Sequence, residues 1–373
     1  MRRCWLLLAM LSALLLSACD ATPPAPAPLL RVDQALGGLP DPGCARAHEV
    51  REGEFPQDHG AHPHVATQRW YLTGNLSAEN GRRFGYQLTL FRVGLRPGEV
   101  TRDSDWRSNQ VYMGHLAISD IAGGRHHSAE RFARAAAGLA GARVAPFEIW
   151  LGPWSLHADK ALLPLSVEAQ HEDIGLSLQL QSGDKPMVLQ GERGLSRKSA
   201  TPGNASYYYS FTRLPTHGEL RIGDSLYSVQ GDSWLDREWS SSALDKDQAG
   251  WDWFALQLED GRELMFYQLR TRQGGAHAYS RGSLVDANGS VHSLLPEQVT
   301  LTPLRYWQAD DGTRYPVDWR LQVVELQLDL EVTALLDDQL MDHSVHYWEG
   351  AVEVTGSHRG QGYLELSGYA GGP

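Results

Sequence analysis

The chain has 373 residues, of which 42% are hydrophobic, 9% aromatic and 21% charged, so it can bury one large core or two ordinary ones. Its formal net charge is -12, and an acidic surface of that size repels phosphate backbones, which argues against nucleic acid as a partner. The 38 glycines, 12 tryptophans and 14 tyrosines favour β-sheet with tight turns over helical bundles.

The N-terminal residues predict a secretion signal. Arg2 and Arg3 precede an apolar stretch over residues 5–18, which is too short to cross a bilayer as a helix. The tetrapeptide Leu-Ser-Ala-Cys that ends at Cys19 resembles the bacterial lipobox. The resemblance implies that residues 1–18 are removed and that the Cys19 sulfur is acylated, which would make a stable anchor. The alternative is an ordinary signal peptide cut nearby.

The residues after Cys19 bear on where the protein is held. Asp20 resembles the residue that keeps such lipoproteins on the inner membrane of Gram-negative bacteria. We therefore expect a lipid anchor at the periplasmic face of a bacterial membrane, with the inner membrane favoured. Residues 21–28 read ATPPAPAP, a composition typical of an extended spacer, so residues 19–50 are predicted to be a lipidated N-terminus and spacer.

Two similar aromatic hairpins indicate tandem domains. Each consists of two runs of alternating apolar and polar residues across a Gly-containing turn, and Tyr-Gln-Leu at 86–88 recurs 181 positions later. This spacing indicates two domains of one architecture, at 51–232 and 233–373, although β proteins reuse aromatic residues often enough for such an echo to arise by chance. The paired runs are residues 70–76 with 84–91 and residues 251–258 with 263–269.

Other β-rich runs follow at near-regular spacing, separated by turn residues. The Ala-rich stretch at 129–140 is the one place where the spacing supports two or three turns of helix. Many strands with few helices predict an all-β fold of the sandwich or barrel type. The further candidate strands are 111–120, 176–181, 207–213, 299–302, 321–330 and 362–369.

A series of motifs runs through both halves of the chain. They are FPQDHGAHP (55–63), RWYLTGNL (69–76), FGYQLTLFR (84–92), GHLAISD (114–120), ERFAR (130–134), KPMVLQGERGLSRK (185–198), ASYYYSFTRL (205–214), DSWLDREWSSSAL (232–244), GWDWFALQL (250–258), YWEGAVEVTG (347–356) and GYLELSGY (362–369). In this order they resemble the AttH-like branch of the lipocalin-like superfamily that also contains carotenoid 1,2-hydratases. The resemblance covers nearly all of residues 50–370 and implies two tandem lipocalin-like (calycin) antiparallel β-barrels. It also implies a secreted or lipid-anchored protein that accompanies an ABC export system, while some relatives add water to a carotene double bond.

One motif departs from the pattern of that family. The family begins its first barrel with Thr-Glu-Trp-Trp-Tyr, whereas this chain has Gln68 and Arg69 where the Glu and the first Trp are expected. If the Glu took part in catalysis or ligand positioning, the function has been lost or moved in this chain.

Three residues are candidates for catalysis. Hydration of an unactivated alkene requires a positioned acid, a base that orients water and aromatic faces that stabilise a carbocation. Asp236, Glu238 and Tyr267 supply these groups, and strand alternation puts both carboxylates on one face with Arg237 on the other. The alternative is a buried network of ions that locks the two barrels together, because such networks also perturb pKa values.

Aromatic and imidazole side chains are the candidate ligand-binding residues. Strand alternation puts two of the tryptophans on one face, with Asp252 on the other, and puts His115 on a face with Ala117 and Ser119. A core histidine with satisfied hydrogen bonds is the alternative for His115. The complete set is Trp70, Tyr86, His115, Trp239, Trp251 and Trp253.

Other patterns point away from metal, cofactor and nucleophile chemistry. The histidines at 59, 62 and 64 and those at 343 and 346 lack the third-ligand spacing of a firm site, so no metal and no cofactor are predicted. No Gly-x-Ser-x-Gly elbow is present to support a serine hydrolase, and no phosphate-binding glycine loop is present.

Two functions remain. The first is a membrane-anchored periplasmic lipoprotein that binds an apolar or amphipathic small molecule, a lipid or isoprenoid, and works beside an ABC transporter permease. The second is an isoprenoid-modifying enzyme that hydrates alkenes by acid catalysis. The lipoprotein signal and the change at Gln68 favour the first.

Overall fold

The computed structural model describes residues 43–97, 108–159, 162–241 and 244–369. The predicted signal peptide, the expected acylation site Cys19, Asp20 and most of the predicted spacer lie outside these residues. The described residues are mainly strand, with single turns of 3-10 helix at Gln57–His59, Pro296–Gln298 and Val324–Leu326. No helix in these ranges has the length and apolar character that crossing a membrane demands.

The first sheet contains thirteen strands within the described residues, all paired antiparallel. The order along its main path is β4-β3-β2-β1-β13-β12-β9-β8-β7-β6-β5, and β10 and β11 both pair with β12. The strands are β1 (Thr67–Ala78), β2 (Arg83–Gly94), β3 (Gln110–Asp120), β4 (Arg125–Arg134), β5 (Ala140–Val144), β6 (Phe147–Leu151), β7 (Trp154–Ala158), β8 (Leu165–His171), β9 (Ile174–Leu180), β10 (Val188–Leu189), β11 (Leu195–Arg197), β12 (Ala205–Ile222) and β13 (Ser225–Ser240).

The second sheet contains ten strands within the described residues and repeats the arrangement on a smaller scale. Its order is β17-β16-β15-β14-β23-β22-β20-β19-β18, with β21 paired to β22. The strands are β14 (Gln248–Leu258), β15 (Glu263–Thr271), β16 (Arg281–Val285), β17 (Val291–Leu294), β18 (Thr300–Gln308), β19 (Arg314–Val323), β20 (Leu328–Ala334), β21 (Leu340–Asp342), β22 (His346–Gly356) and β23 (Gly360–Ser367).

Each sheet curls around a hydrophobic core of its own, which gives two barrel-like halves. The predicted hairpins are β1–β2 and β14–β15, and their alternation has the expected effect. Trp70 and Leu72 enter the core of the first half, whereas Tyr71 between them faces the second half. The tandem lipocalin-like architecture predicted from the sequence is therefore confirmed.

Three expectations differ from the structure. The sheets change between Ser240 and Gln248, whereas the expected boundary at 232/233 falls inside β13. The stretch at 129–140 is not helical, because residues 125–134 pair with β3 along their whole length and Ala137 then adopts φ 50° in a turn. Alanine's helix propensity is thus overridden by sheet pairing. The predicted strand at 321–330 is the end of β19 and the start of β20, separated by a turn at Val324–Leu326.

The two halves pack directly against each other. An aromatic cluster joins them, with Tyr71, Tyr208 and Trp234 from the first half and Trp253 and Tyr363 among those from the second. Residues 43–66, the N-terminal arm, precede β1, and part of the arm packs against Tyr209 and Trp239 of the first half.

Candidate functional site

A narrow cavity lies where the two halves meet. About 300 Å³ there is not filled by atoms, but this figure includes space open to solvent, and the enclosed part has room for about one water molecule. Its walls come from β1, β2 and β3 on one side and from β22, β23 and the segment before β22 on the other. The lining residues are Arg69, Tyr71, Thr89, Phe91, Met113, His115, Val345, Tyr347, Glu349 and Glu365.

Arg69 is the cation of this cavity. It lies directly opposite Glu238 in the β1–β13 register, and its Nη2 is 2.9 Å from Glu238 Oε2, while its Nη1 is 3.7 Å from Glu365 Oε2. Lys198 Nζ is 3.3 Å from the other oxygen of Glu238. Although burial opposes the charged form, Lys198 and Arg69 lower the pKa of Glu238 to about 2, so it is a carboxylate at neutral pH.

Glu349 and Glu365 form a second pair of carboxyls, which these cations do not fully compensate. They are directly opposite each other in the β22–β23 register, which brings their side chains together on one sheet face. Burial, and then the neighbouring carboxyl, raise the pKa of Glu349 well above its ordinary value, and burial also raises the pKa of Glu365. Like charges so close cannot both ionise cheaply, so each carboxyl favours a proton on the other. Since Glu365 has Arg69 beside it and accepts a hydrogen bond from Trp251 at 2.7 Å, the protonated form is favoured more at Glu349 than at Glu365.

Three buried polar atoms around the cavity have no hydrogen-bond partner. They are Arg69 Nε, the Tyr71 hydroxyl and Glu349 Oε1. Tyr71 is 2% exposed and Glu349 is 1% exposed, so neither group is hydrated by bulk water. The hydroxyls of Tyr71 and Tyr347 face the Glu349 carboxyl closely enough to oppose the rise of its pKa as donors, although neither contact has the geometry of a full hydrogen bond to Oε1. Buried polar groups are nearly always satisfied, so this concentration marks a place for a ligand or for ordered water.

His115 forms the far wall of the cavity. Its Nδ1 is 2.7 Å from the Tyr347 hydroxyl and its Nε2 is 3.0 Å from Glu130 Oε1. Ser344 donates to the same oxygen of Glu130 at 2.5 Å. Although burial opposes it, these hydrogen bonds lower the pKa of Glu130, so a carboxylate fixes the imidazole ring. Ala117 and Ser119 also face the second half, as strand alternation predicted.

The two predicted catalytic carboxylates share the expected face of β13, but they have different surroundings. Asp236 is fully buried and accepts hydrogen bonds from the Tyr208 hydroxyl, from Ser210 at 2.6 Å and from Trp234 Nε1 at 2.7 Å. Burial raises its pKa to about 6 against the opposing effect of these donors. Asp236 does not line the cavity, and neither does Glu238, which reaches it only through Arg69.

The third predicted catalytic residue, Tyr267, is in the interface but also outside the cavity. Its hydroxyl is 2.9 Å from Ser196 Oγ, and Lys198 Nζ lies 4.2 Å from the centre of its ring. A buried network of polar and charged groups thus connects the halves here, formed by Asp236, Glu238, Tyr267 and Lys198. It agrees with the alternative considered for the sequence, in which these residues lock the two barrels together.

The structure separates the predicted ligand-binding residues into two groups. His115, Trp251 and Trp253 lie at the interface, where Trp251 contacts the cavity residue Glu365 and Trp253 donates to the Tyr208 hydroxyl at 3.3 Å. Trp70 and Tyr86 belong to the core of the first half. Trp239 lines a separate cleft of about 290 Å³ under the N-terminal arm. These six residues therefore do not form one pocket.

Gln68 and Arg69 are consecutive residues of β1, so strand alternation points their side chains to opposite faces of the sheet. Gln68 points away from the cavity, and its amide accepts from Arg237 and the backbone N–H of His62 and donates to the His62 carbonyl, each at 2.8 Å. Arg69 points into the cavity. Of the two positions that depart from the motif the sequence resembles, Arg69 is therefore the one that shapes the cavity, whereas Gln68 binds the N-terminal arm.

The histidines singled out in the sequence have packing roles where their contacts are described. His59 Nδ1 is 2.6 Å from the Tyr209 hydroxyl, and His62 stacks on Trp239 with ring centres 4.4 Å apart. Burial lowers the pKa of His59 to about 4 and that of His62 to about 3. His346 is 2.7 Å from Asp342, and His343 lies beside His115. Across the described residues, no group of three or more His, Cys, Asp or Glu side chains is arranged to hold a metal ion.

Sequence reasoning missed most of the cavity. Tyr71, Tyr347, Glu349 and Glu365 all lie in motifs that were noted for the family resemblance, yet none was proposed as a site residue. A signal was present, because strand alternation puts Tyr347 and Glu349 on one face of YWEGAVEVTG and Tyr363 and Glu365 on one face of GYLELSGY. Acidic residues on strand faces that also carry aromatic residues are the signal for a buried polar site.

These features define a protein of two lipocalin-like halves with a polar cavity between them. A family model described as AttH-like matches residues 46–369. The chain belongs to the AttH-like family.

Several solved structures have a fold similar to that of this chain. A protein of Nitrosomonas europaea that carries the AttH name is 35% identical, with a TM-score of 0.78, and the match covers 87% of this chain and all of that one. Kievitone hydratase from Nectria haematococca is 13% identical with a TM-score of 0.65, over 89% of this chain and 97% of that one. CghA is 14% identical with a TM-score of 0.55, over 92% and 98%. At 13% and 14% identity, kievitone hydratase and CghA show only that they share the fold of this chain. None of the curated proteins compared with the chain matches it.

Proposed function

We propose that this protein is a lipid-anchored periplasmic lipoprotein that binds an apolar or amphipathic small molecule in the cavity between its halves. One observation carries the proposal: buried polar atoms without partners meet apolar walls in a single cavity. The enclosed space has room for about one water molecule, so a ligand must part the walls to enter, and a few fixed polar contacts then orient it. The anchor at Cys19 and service to an ABC export permease belong to the same proposal, and they rest on the lipobox and on the family resemblance.

Mass spectrometry of molecules that co-purify with the protein from native membranes tests the binding. The Val345→Phe variant adds bulk at the cavity wall, and the Val324→Phe variant makes the same change at an exposed turn. We expect a small molecule to accompany the wild type and Val324→Phe but not Val345→Phe, with circular dichroism confirming that all three fold. An equal yield from all three proteins, or none from gently extracted wild type, would contradict binding in this cavity.

Acid-catalysed hydration is the second candidate, and the Glu349–Glu365 pair is the observation that favours it. A protonated carboxyl beside aromatic rings can donate its proton to an alkene carbon, and the aromatic faces stabilise the resulting carbocation. Water then forms the new C–O bond and returns a proton to the carboxylate, which restores the acid. Kievitone hydratase has this fold, and its name gives the reaction class.

Incubation with an isoprenoid polyene in ¹⁸O-labelled water separates the two functions. An alcohol product that carries ¹⁸O and is missing with Glu349→Gln would establish hydration. Polyene that is bound but chemically unchanged would exclude hydration of this compound and support the binding function. Neighbouring genes offer a further discriminator, since permease and ATPase genes fit export and carotenoid-synthesis genes fit hydration.

A further inference from the structure

The three unpartnered atoms of the cavity restrict what its occupant can be. The Nε of an arginine can only donate a hydrogen bond, and a tyrosine hydroxyl can donate or accept. The occupant must therefore offer an acceptor to Arg69, which an ammonium group cannot do. The Tyr71 hydroxyl on the same cavity is a second donor, and the Glu349 carboxyl is a third when it is protonated, so the acceptor can have more than one partner.

The charges around the cavity restrict the occupant further. Arg69 and Lys198 are both engaged by Glu238, and Arg69 also lies next to Glu365. Glu130 adds another carboxylate behind His115. An anionic ligand would thus bring a further negative charge into a buried place whose cations are already paired. A neutral ligand has no such cost.

The other polar residues of the lining already have hydrogen-bond partners: His115 bonds to Tyr347 and Glu130, Glu365 accepts from Trp251, and Thr89 accepts from Gln87. The remaining lining residues are apolar. Phe91, Met113 and Val345 are buried and belong to one hydrophobic cluster at the interface. They suit a hydrocarbon body and offer no hydrogen bonds to it. The polar atoms that remain unpartnered in this lining are those of Arg69, Tyr71 and Glu349, and they can hold one polar group of the occupant.

We propose that the cavity selects a neutral molecule with an apolar body and one oxygen acceptor, an alcohol or a ketone, which Arg69, Tyr71 and Glu349 hold by its oxygen. This proposal rests on the proposed binding function and names its ligand class. A hydroxylated or keto isoprenoid or lipid is of this class, whereas a fatty acid or an alkylammonium compound is not.

A matched series of eight-carbon compounds tests the ligand class. Octan-1-ol, octan-2-one, octanoate and octyltrimethylammonium are titrated calorimetrically into the whole chain held in nanodiscs, with protein-free nanodiscs as the blank. We expect the alcohol and the ketone to bind at least about tenfold more tightly than the two ions, because octanoate brings an uncompensated charge into the cavity and octyltrimethylammonium offers no acceptor.

Variants connect the preference to the named atoms. Tyr71→Phe removes the unpartnered hydroxyl and should weaken the alcohol and the ketone about tenfold, without lowering the thermal midpoint of the empty protein. Tyr315→Phe, at a buried tyrosine in the core of the second half, is the matched control and should leave binding unchanged. Glu349→Gln keeps a donor and an acceptor, so it should bind the neutral compounds nearly as well as the wild type, whereas Glu349→Leu should not.

Octanoate that binds as tightly as octanol, or a Tyr71→Phe variant with unchanged affinity, would overturn the ligand class and leave binding in the cavity intact. Failure of all four compounds, or binding that Val345→Phe leaves unaltered, would overturn both proposals.

Discussion

Asp236 illustrates how a residue can be buried, acidic and prominent in the sequence and still serve the fold. Its carboxyl accepts three hydrogen bonds, from Tyr208, Ser210 and Trp234, so no acceptor capacity faces an open site. Glu349 is the opposite case, because an oxygen with no partner borders a cavity. Hydrogen-bond accounting therefore separates a structural acid from a candidate functional one where burial alone does not.

Removal of the Asp236 carboxyl should destabilise the protein strongly. Asp236→Ala leaves three buried donors without an acceptor, at a cost of about 3 kcal/mol or more in unfolding free energy. Asp329→Ala, which breaks an exposed pair with Arg320, should change little and is the control. Urea unfolding measures both, and an Asp236→Ala variant as stable as wild type would argue that these hydrogen bonds contribute nothing.

Asp236 should also impose a pH dependence on stability. Its pKa is about 6 in the folded protein against 3.8 for the ordinary group, so the folded state holds the proton more tightly than the unfolded state. The resulting stabilisation is complete below about pH 4 and is lost as the pH rises to 6, a change of about 3 kcal/mol.

Asp236→Asn removes this titration while its Oδ1 can still accept from Ser210 and Trp234. The difference in unfolding free energy between wild type and Asp236→Asn, measured from pH 4 to pH 7, should therefore follow that curve. A difference that stays flat with pH would show that Asp236 does not titrate in this window.

At the scale of single elements, the N-terminal arm is attached to the first half by a buried arginine. Arg237 Nη2 donates to the Gly60 carbonyl at 2.5 Å and to Gln68 at 2.8 Å. Its guanidinium also lies 4.2 Å from the ring centre of Trp70 and 4.9 Å from that of Trp239. Burial lowers its pKa to about 10, so it stays charged at neutral pH. Carbonyl oxygens and aromatic faces thus replace a carboxylate as partners of this cation.

Arg237→Met should release the arm while leaving both sheets folded. The variant loses the contacts to Gly60, Gln68 and the two tryptophans, so residues 57–66 should exchange their amide hydrogens at least about tenfold faster, while β1 and β2 keep their protection. Arg221→Met, which also removes an arginine bound to backbone carbonyls, is the control. Equal exchange in the two variants would mean that Arg237 does not hold the arm.

Element pairing also decides what could be predicted from the sequence. The hairpins β1–β2 and β14–β15 were predictable because period-two alternation is a local signal. So was the shared face of Asp236 and Glu238. The Ala-rich stretch at 129–140 misled because its pairing with β3 outweighs its propensity. Glu349 and Glu365 were missed because their meeting depends on the β22–β23 register and on the docking of two sheets, and neither is a property of a short window of residues.

On the scale of the whole molecule, a glycine sets how closely the halves approach. A Cβ on Gly85 of β2 would lie 2.6 Å from the Ala351 Cβ and 2.7 Å from the Tyr363 hydroxyl, both in the second half. Nearby, Asn75 donates to the Gly362 carbonyl at 3.0 Å. The cavity is bounded by strands of both halves, so its shape depends on this close contact.

Gly85→Ala should therefore loosen the docking of the halves. Overpacking of this kind costs about 1–3 kcal/mol, and we expect a lower thermal midpoint together with weaker ligand binding. Gly94→Ala, in the same strand, meets the Val65 carbonyl oxygen at 3.2 Å and no atom of the second half, so its effect on binding should be smaller. Equal losses of affinity in both variants would contradict a role for the contact at Gly85.

The register of β1 has a consequence for how the chain folds. Thr67 pairs with Ser240 across the β1–β13 ladder, and Trp251 pairs with Ser367 across β14–β23. In each half the opening hairpin forms from neighbouring residues, but its first strand receives its second neighbour only after 88 or more further residues have been synthesised, from Thr271 to Gly360 in the second half and from Gly94 to Ser225 in the first. Such non-local pairing slows folding, because the entropy of closing the long loop is lost before the contacts form. During synthesis, β1 therefore remains an open edge until nearly the whole first half has been made.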